Sequence, residues 1–272
     1  LSSLAGSESD AAIFKEKMIE TNNELYRIMS ESIDLEERGL ALYKRGRVYQ
    51  IQSDNSSALE MYKMLIGEID GTQQCMSVNL RRYYCRSYIR VAQILMKLNS
   101  NDKAIQHYLH MADQETDALL QIVETIDTLS TKALCEEIFA NYYKRLDNQN
   151  KEIEHLYSAI SLCDKMLERK NNKSYLDSKY IFYERLYKIF FGDGKYIKAL
   201  DVIEHLSGLD RLLYRKEKIS TLQKRYEVSQ ILNMDISEIK HTLEEEERLK
   251  DEQALAYSQV YRWLELCEAA EE

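Results

Sequence analysis

The spacing of apolar positions along the chain predicts a succession of helices. In most segments apolar residues recur every three or four positions, as they do along one face of an α-helix. Short polar stretches rich in helix-capping residues separate these segments at 53–57, 99–102 and 147–150, and a two-glycine turn lies at 192–194. The alternation therefore predicts helical hairpins with tight turns.

One pattern of small and bulky residues returns four times, once every 46 to 48 residues, with internal offsets of +3, +12, +16 and +19. The four copies are Gly46, Tyr49, Ala58, Tyr62 and Leu65; Ala92, Leu95, Ala104, Tyr108 and Met111; Ala140, Tyr143, Glu152, Leu156 and Ala159; and Tyr187, Phe190, Ala199, Ile203 and Leu206. We interpret each copy as two packed helices with small residues where they cross. Repeated helical hairpins are typical of surfaces that hold another molecule.

Composition agrees with an all-α chain. The 272 residues include no proline and only 8 glycines, fewer turn-forming residues than sheets usually need. A hydrophobic content of 44% is enough for a substantial core.

The pattern divides the chain into three parts. Residues 1–35 are predicted to be a flexible start, most of all residues 1–9, followed by a capping helix. Residues 36–207 hold the repeats. Residues 208–272 are amphipathic and then strongly charged, which is compatible with a cap on the last hairpin, a helical connector or a short coiled coil.

Charge, the length of apolar runs and cysteine spacing argue against nucleic-acid binding, membrane contact and a disulfide framework, respectively. The formal net charge of −9 argues against a nucleic-acid binder, and we interpret Arg81, Arg82, Arg86 and Arg90 as solvated helix faces. No apolar run approaches the length of about 18 residues that would indicate a membrane span, so no membrane contact is expected. The 5 cysteines form no C-x-x-C pair and are predicted to be buried free thiols.

No catalytic, cofactor or metal site is predicted. His107 and His110 share a helix face, but no cysteine or acidic residue completes a metal site at a recognisable spacing, so we expect both at the surface. Nucleophile-elbow, phosphate-loop, dinucleotide-binding and zinc-protease motifs do not occur. We therefore expect a protein that is not an enzyme.

The repeated residues make the chain resemble a tetratricopeptide-repeat (TPR) protein, in which small residues lie where the helices cross. Gly46, Ala58 and Ala92 match this pattern, whereas Glu152 and Tyr187 depart from it. The repeat is longer than the family's usual period of about 34 residues, which implies longer helices or links. The resemblance covers residues 36–207 and implies a right-handed α-α superhelix that binds a protein or peptide.

In the resembled family, the first helix of each hairpin lines a concave groove. Carried over to this chain, the groove residues are Tyr43, Arg47, Gln50, Arg86, Gln93, Asn141, Lys144, Glu184 and Lys188. Amides suit a peptide backbone and cations suit its carboxylates. The alternative is that these are ordinary exposed positions. The set lacks the full cation–amide arrangement with which chaperone-binding members hold a C-terminal carboxylate, so that ligand is not predicted.

A second resemblance concerns the segments 213–218 and 222–227, which are similar to those that follow repeat arrays in bacterial signalling proteins. It implies a sensory or regulatory region, in the cytoplasm or, for a membrane-anchored protein, in the periplasm. The alternative function is that of a structural module that forms a homodimer through its C-terminal helices.

Overall fold

The computed structural model describes the chain as helices joined by short turns. The described residues are 16–17, 19–21, 23–29, 32, 34–71, 76–214 and 216–271, with side chains described as far as 255. No strand occurs among them, so the predicted all-α fold is confirmed. The predicted flexible residues 1–9 lie outside this part.

Ten helices follow one another in the part of the chain described from Leu35 onward. They are α1 Leu35–Ile51, α2 Asn55–Asp70, α3 Val78–Lys97, α4 Asp102–Ile122, α5 Ile126–Arg145, α6 Gln149–Arg169, α7 Lys173–Gly192, α8 Tyr196–Tyr214, α9 Ile219–Ile231 and α10 Ser237–Glu271. Over the residues described, none of them combines the length and apolar content that a membrane crossing requires.

The helices pack as two compact units, Leu1–Lys170 and Asn171–Glu272. In the first unit, α1–α2, α3–α4 and α5–α6 are hairpins. The first helices of these hairpins lie side by side, since α1 contacts α3 and α3 contacts α5, while α2 contacts α3 and α4 contacts α5. The domain boundaries predicted from the sequence at 35 and 207 stay a prediction.

The same turn ends the first helix of every hairpin. One residue adopts a positive φ, as in Ser53 (65°) and Gly194 (69°). The next N–H then donates to the carbonyl five positions back, from Asp54 N to Tyr49 O at 2.9 Å in the first turn. This bond satisfies a carbonyl that the helix end would leave unpaired. The positive-φ residues are Ser53, Asn99, Asp147, Gly194 and Asn233.

Small residues mark the helix crossings, as the repeat pattern predicts. A Cβ on Gly46 would lie only 2.7 Å from Cε1 of Tyr62, so α1 and α2 approach more closely there than an alanine would allow. Glu152 and Tyr187, which depart from the pattern, are also buried. The fully buried alanines at these crossings are Ala58, Ala92, Ala140, Ala159 and Ala199.

The predicted crossing residues of α4 are wrong by one position. Ala104, Tyr108 and Met111 are half-buried at the edge of the core. The positions buried in the crossing are Ile105, Leu109 and Ala112. The physical reason is Ser100, which separates the positive-φ residue Asn99 from the helix cap Asn101. In the first and third hairpins the cap follows the positive-φ residue directly.

The second unit contains the hairpin α7–α8, with α8 contacting α9 and α9 contacting α10. The turn at Asn233 joins α9 to α10 with the hydrogen-bond pattern of the earlier hairpins, including Met234 N to Ser229 O at 2.9 Å. Residues 219–271 therefore form a further helix pair, in which the 35-residue α10 is much longer than α9.

Three of the five cysteines lie in the described part of the structure. Cys85, Cys135 and Cys163 are buried free thiols, as predicted. Burial raises the pKa of the Cys85 thiol to about 12, so it stays protonated at neutral pH. The predictions for Cys75 and Cys267 fall outside the side chains that the structure describes.

Gly46→Ala tests the close approach of α1 and α2. It should lower the free energy of unfolding by about 1–3 kcal/mol, because the new Cβ overpacks against the buried ring of Tyr62. The control is Gly67→Ala in α2, where no heavy atom lies within 4 Å of an added Cβ. That change should stabilise the protein by about 0.5–1 kcal/mol. Urea unfolding followed by circular dichroism measures both, and equal stabilities would contradict the packing described.

Candidate functional site

The exposed side of α1, α3 and α5 in the first unit, which we call the first-helix face, collects most of the predicted groove residues. Five of them are half-buried, and Lys144 is exposed near the end of α5. These six residues are Arg47, Gln50, Arg86, Gln93, Asn141 and Lys144. The face exists because the first helices of adjacent hairpins contact one another.

A polar cluster joins the end of α1 to α2. The hydroxyl of Tyr62 donates to Oε1 of Gln50 at 2.9 Å, and Nη1 of Arg47 donates to the same oxygen at 3.2 Å. Burial raises the pKa of Tyr62, while the positive charges of Arg47 and Arg90 oppose that rise. The charges of two guanidinium groups, one on α1 and one on α3, therefore act on one phenol.

Arginines continue the face along α3 at intervals of four residues. Nη1 of Arg82 donates to Oδ2 of Asp127 at 2.5 Å, and Nε of Arg86 donates to Oγ1 of Thr131 at 3.0 Å. Both bonds tie α3 to α5. The third arginine of the series, Arg90, follows the same spacing.

Arg90 is half-buried, and its charge acts on Tyr62 of the polar cluster. Its Nη1 donates to Oε1 of Gln93 at 2.7 Å. The Nε atoms of Arg82 and Arg90 are buried and have no hydrogen-bond acceptor among the described residues. The protein therefore leaves part of the donor capacity of these guanidinium groups unused.

The prediction that four arginines form solvated helix faces is wrong for Arg81, Arg82, Arg86 and Arg90 alike, since none of them is fully exposed. The side chain of Arg82 is only 17% exposed, and that of Arg81 is 25% exposed and pairs with Glu115 at 3.2 Å. Arg82 and Arg90 were not predicted as groove residues. The signal that could have found them is the four-residue spacing of Arg82, Arg86 and Arg90, which puts all three on one side of a helix.

The remaining predicted groove residues lie elsewhere. Tyr43 is only 6% exposed and belongs to the core, with its ring centroid 5.7 Å from that of Tyr62. Its apolar ring packs inward, so it is not available to a ligand. Glu184 and Lys188 are on α7 in the second unit, where Glu184 pairs with Nζ of Lys224 and Lys188 is exposed.

A cavity of about 460 Å³ opens between the first turns of α3 and α5. Its walls combine apolar side chains with the Arg82–Asp127 pair and so could receive a side chain of a bound partner. The lining residues are Val78, Asn79, Arg82, Thr125, Ile126, Asp127 and Thr128.

The histidines of the first unit hold structural or surface positions. His107 and His110 are exposed on α4, as predicted. Nδ1 of His155 lies 2.7 Å from Oε2 of Glu136, and its ring stacks on Phe139 at 4.7 Å between centroids. Within the described residues, no three His, Cys, Asp or Glu side chains converge as a metal ion would require.

Lys132 is the centre of an ionic cluster that joins α4 to α5. Its Nζ lies 2.5 Å from Asp113, 2.7 Å from Asp117 and 3.3 Å from Glu136. Burial opposes its charge, but the three carboxylates outweigh burial and raise its pKa above the ordinary value. Lys132 therefore stays protonated and cannot act as a base near neutral pH.

Comparisons with known proteins support the fold. No family model matches the sequence, and no curated protein sequence matches it. The solved structure of BtubC (BKLC) from P. vanneervenii aligns with a TM-score of 0.54 over 88% of this chain and 92% of its own, at 12% identity. A Podospora anserina protein described as a kinesin light chain with nearly identical TPR-like repeats aligns with a TM-score of 0.51 over 83% of this chain and 100% of its own, at 14% identity. At these identities the likeness is one of fold, and the chain is a TPR-like helical repeat array.

Lys132→Met should lower the free energy of unfolding by about 1–3 kcal/mol at pH 7, because it leaves three neighbouring carboxylates without their counter-charge. A proton that neutralises one of these carboxylates relieves the repulsion among the three. The loss relative to wild type should therefore shrink as pH falls from 7 towards 4.

Urea unfolding at several pH values measures this dependence. The control is Arg248→Met, since the exposed pair of Arg248 with Glu252 is worth about 0–1 kcal/mol. A Lys132→Met deficit that does not change with pH would contradict the ionic role.

Proposed function

We propose that this chain is a non-catalytic interaction module that binds an extended, acidic segment of a protein partner on the first-helix face. The observation that carries the proposal is the set of guanidinium and amide groups that α1, α3 and α5 hold side by side. A TPR-like array is suited to this task, because neighbouring hairpins present their first helices as one continuous surface.

The chemistry of the face favours an extended acidic ligand. Gln50, Gln93 and Asn141 carry amides, which can pair with the N–H and C=O groups of a peptide backbone. Arg47 and Arg86 carry guanidinium groups, which bind carboxylates with two parallel hydrogen bonds. Because these cations lie on a protein of net charge −9, the face is a local exception that would attract an acidic segment.

We propose further that the module is the sensory or regulatory region of a bacterial signalling protein. The support is the likeness of segments 213–218 and 222–227 to those after repeat arrays in such proteins. The first segment begins with the last two residues of α8, and the second lies in α9. The complete reading frame tests this role. A frame that encodes a kinase or DNA-binding output domain would support it, and a frame without any output domain would contradict it.

A second candidate function is self-association through α10. Every described side chain from Glu247 to Leu255 is exposed, including Leu249 and Leu255, whereas Ile239 and Leu243 are half-buried. The exposed stretch favours a homodimer in which α10 packs against its counterpart.

Sedimentation velocity tests the dimer. If α10 associates, the 272-residue chain sediments as a dimer and a chain that lacks residues 247–272 sediments as a monomer. A 272-residue chain that stays monomeric at about 0.1 mM, where an interface worth more than about 5.5 kcal/mol would be occupied, would remove this candidate.

The binding proposal predicts that peptides selected by the chain from a random 12-residue display library are enriched in Asp and Glu. Arg47→Ala and Lys144→Ala should each weaken binding of a selected peptide about tenfold, which corresponds to about 1.4 kcal/mol. Affinity should also fall as salt increases, because surface charges are screened. Fluorescence anisotropy gives both values.

Lys63→Ala is the matched control, since Lys63 is an exposed cation on α2, the second helix of the hairpin that contains Arg47. It should leave the affinity unchanged. If the selected peptides bind all three variants equally well, the first-helix face is not the binding surface.

A further inference from the structure

A lysine of the second unit is held between two tyrosine rings. Nζ of Lys218 lies 4.2 Å from the ring centroid of Tyr180 on α7 and 4.2 Å from that of Tyr214 on α8. A cation at this distance from an aromatic face is attracted by the negative charge of the π system. Two rings on one ammonium group form the walls of a cation-binding cage.

A buried carboxylate completes the cage. Asp210 on α8 is fully buried, and its Oδ2 accepts hydrogen bonds from the backbone N–H of Lys218 at 3.1 Å and from Oγ1 of Thr221 at 2.6 Å. Its Oδ1 has no hydrogen-bond donor among the described residues, and Nζ of Lys218 lies 3.8 Å away. A carboxylate oxygen taken out of water and left without a donor favours a cation beside it.

The distance between nitrogen and oxygen suits an ammonium group that carries methyl groups. An ammonium that donates a hydrogen bond would approach the carboxylate to about 2.7–2.9 Å. The longer separation leaves room for a methyl carbon on the nitrogen, and aromatic cages are the usual site for methylated ammonium groups in proteins. The ammonium group of Lys218 therefore occupies the cage but does not make the short hydrogen bond to Asp210 that an unmethylated ammonium group can make.

The cage can be reached from solvent. Lys218 lies in the link between α8 and α9, and its side chain is 34% exposed. A cavity of about 420 Å³, which Lys218 itself lines together with Glu246 of α10, opens beside it. The remainder of a ligand could lie there once its cationic group had replaced Lys218.

We propose that Tyr180, Tyr214 and Asp210 form a binding site for an alkylated ammonium group, and that Lys218 occupies this site as an exchangeable internal ligand. A ligand of this class displaces the Lys218 side chain. The displacement loosens the start of α9, because Lys218 joins α9 to α7 and α8 through its ammonium group. This site is independent of the first-helix face.

Titration with choline tests the proposal, and the chemical shifts of ¹³C-labelled tyrosine rings report binding. Lys218→Gln removes the internal cation and keeps two of the four methylene groups of the lysine side chain. It should bind choline at least tenfold more tightly than wild type. The matched control is Lys195→Gln, which removes a lysine at the α7–α8 turn of the same unit that pairs with Asp193 at 2.7 Å, and it should bind as wild type does.

Two further measurements separate a cation site from a merely apolar pocket. The neutral isostere 3,3-dimethylbutan-1-ol should not bind Lys218→Gln, and adding Tyr214→Leu to that variant should abolish choline binding. Circular dichroism establishes that each variant is folded, and Lys218→Met serves if Lys218→Gln is not. The proposal is wrong if removing Lys218 does not improve choline binding over the Lys195→Gln control, or if the neutral isostere binds equally well.

Discussion

The close crossing of two helices at a fixed distance from their turn is the constraint on which the rest of the structure depends. In the first hairpin, Gly46 lies six positions before the end cap Gln52, and Ala58 lies four positions after the start cap Asp54. The positive-φ residue between the caps fixes the angle at which the chain returns. A larger side chain at Gly46 would push these two helices apart, because an added Cβ already meets the ring of Tyr62 and the packed interior has little volume to accept it.

This constraint also produces the candidate binding face. When each hairpin closes in the same way, its first helix takes the same place relative to its neighbour, and equivalent positions of α1, α3 and α5 lie in rows. The hydrogen bond from Arg86 to Thr131 and the ion pair from Arg82 to Asp127 cross between such rows. A surface of this kind is assembled from helix positions, so no loop has to fold around the partner to create it.

The sequence predicts the helices, their breaks and most of the crossings, because these depend on local periodicity and on small residues at fixed offsets. The prediction fails where one additional residue in a turn changes the spacing between the turn and the crossing. Ala104 and Ile105 are both apolar, so nothing in the pattern indicates that Ser100 shifts the crossing to the second of them. The pairing of α9 with α10 is also missed, since no row of small residues accompanies its turn at Asn233.

The candidate binding face was only partly predictable for a related reason. The assignment of residues such as Arg47 and Gln50 to the face follows from their positions on the first helix. Burial decides which of the assigned residues can contact a ligand. Tyr43 occupies a position of the same kind, and its ring packs into the core because neighbouring aromatic rings bury it. Arg90 looks like any surface cation in the sequence, and only the folded chain shows that its Nε is buried and that its charge acts on the buried phenol of Tyr62.

The contacts within the first unit also determine how it can fold. Among its described helices, every contact joins helices that are adjacent or next but one along the chain. Little loop entropy is lost in forming such contacts, and chains dominated by them fold within microseconds to milliseconds. Each hairpin can therefore form while the following one is still being synthesised, and a growing chain never has to wait for a distant segment to cover its core.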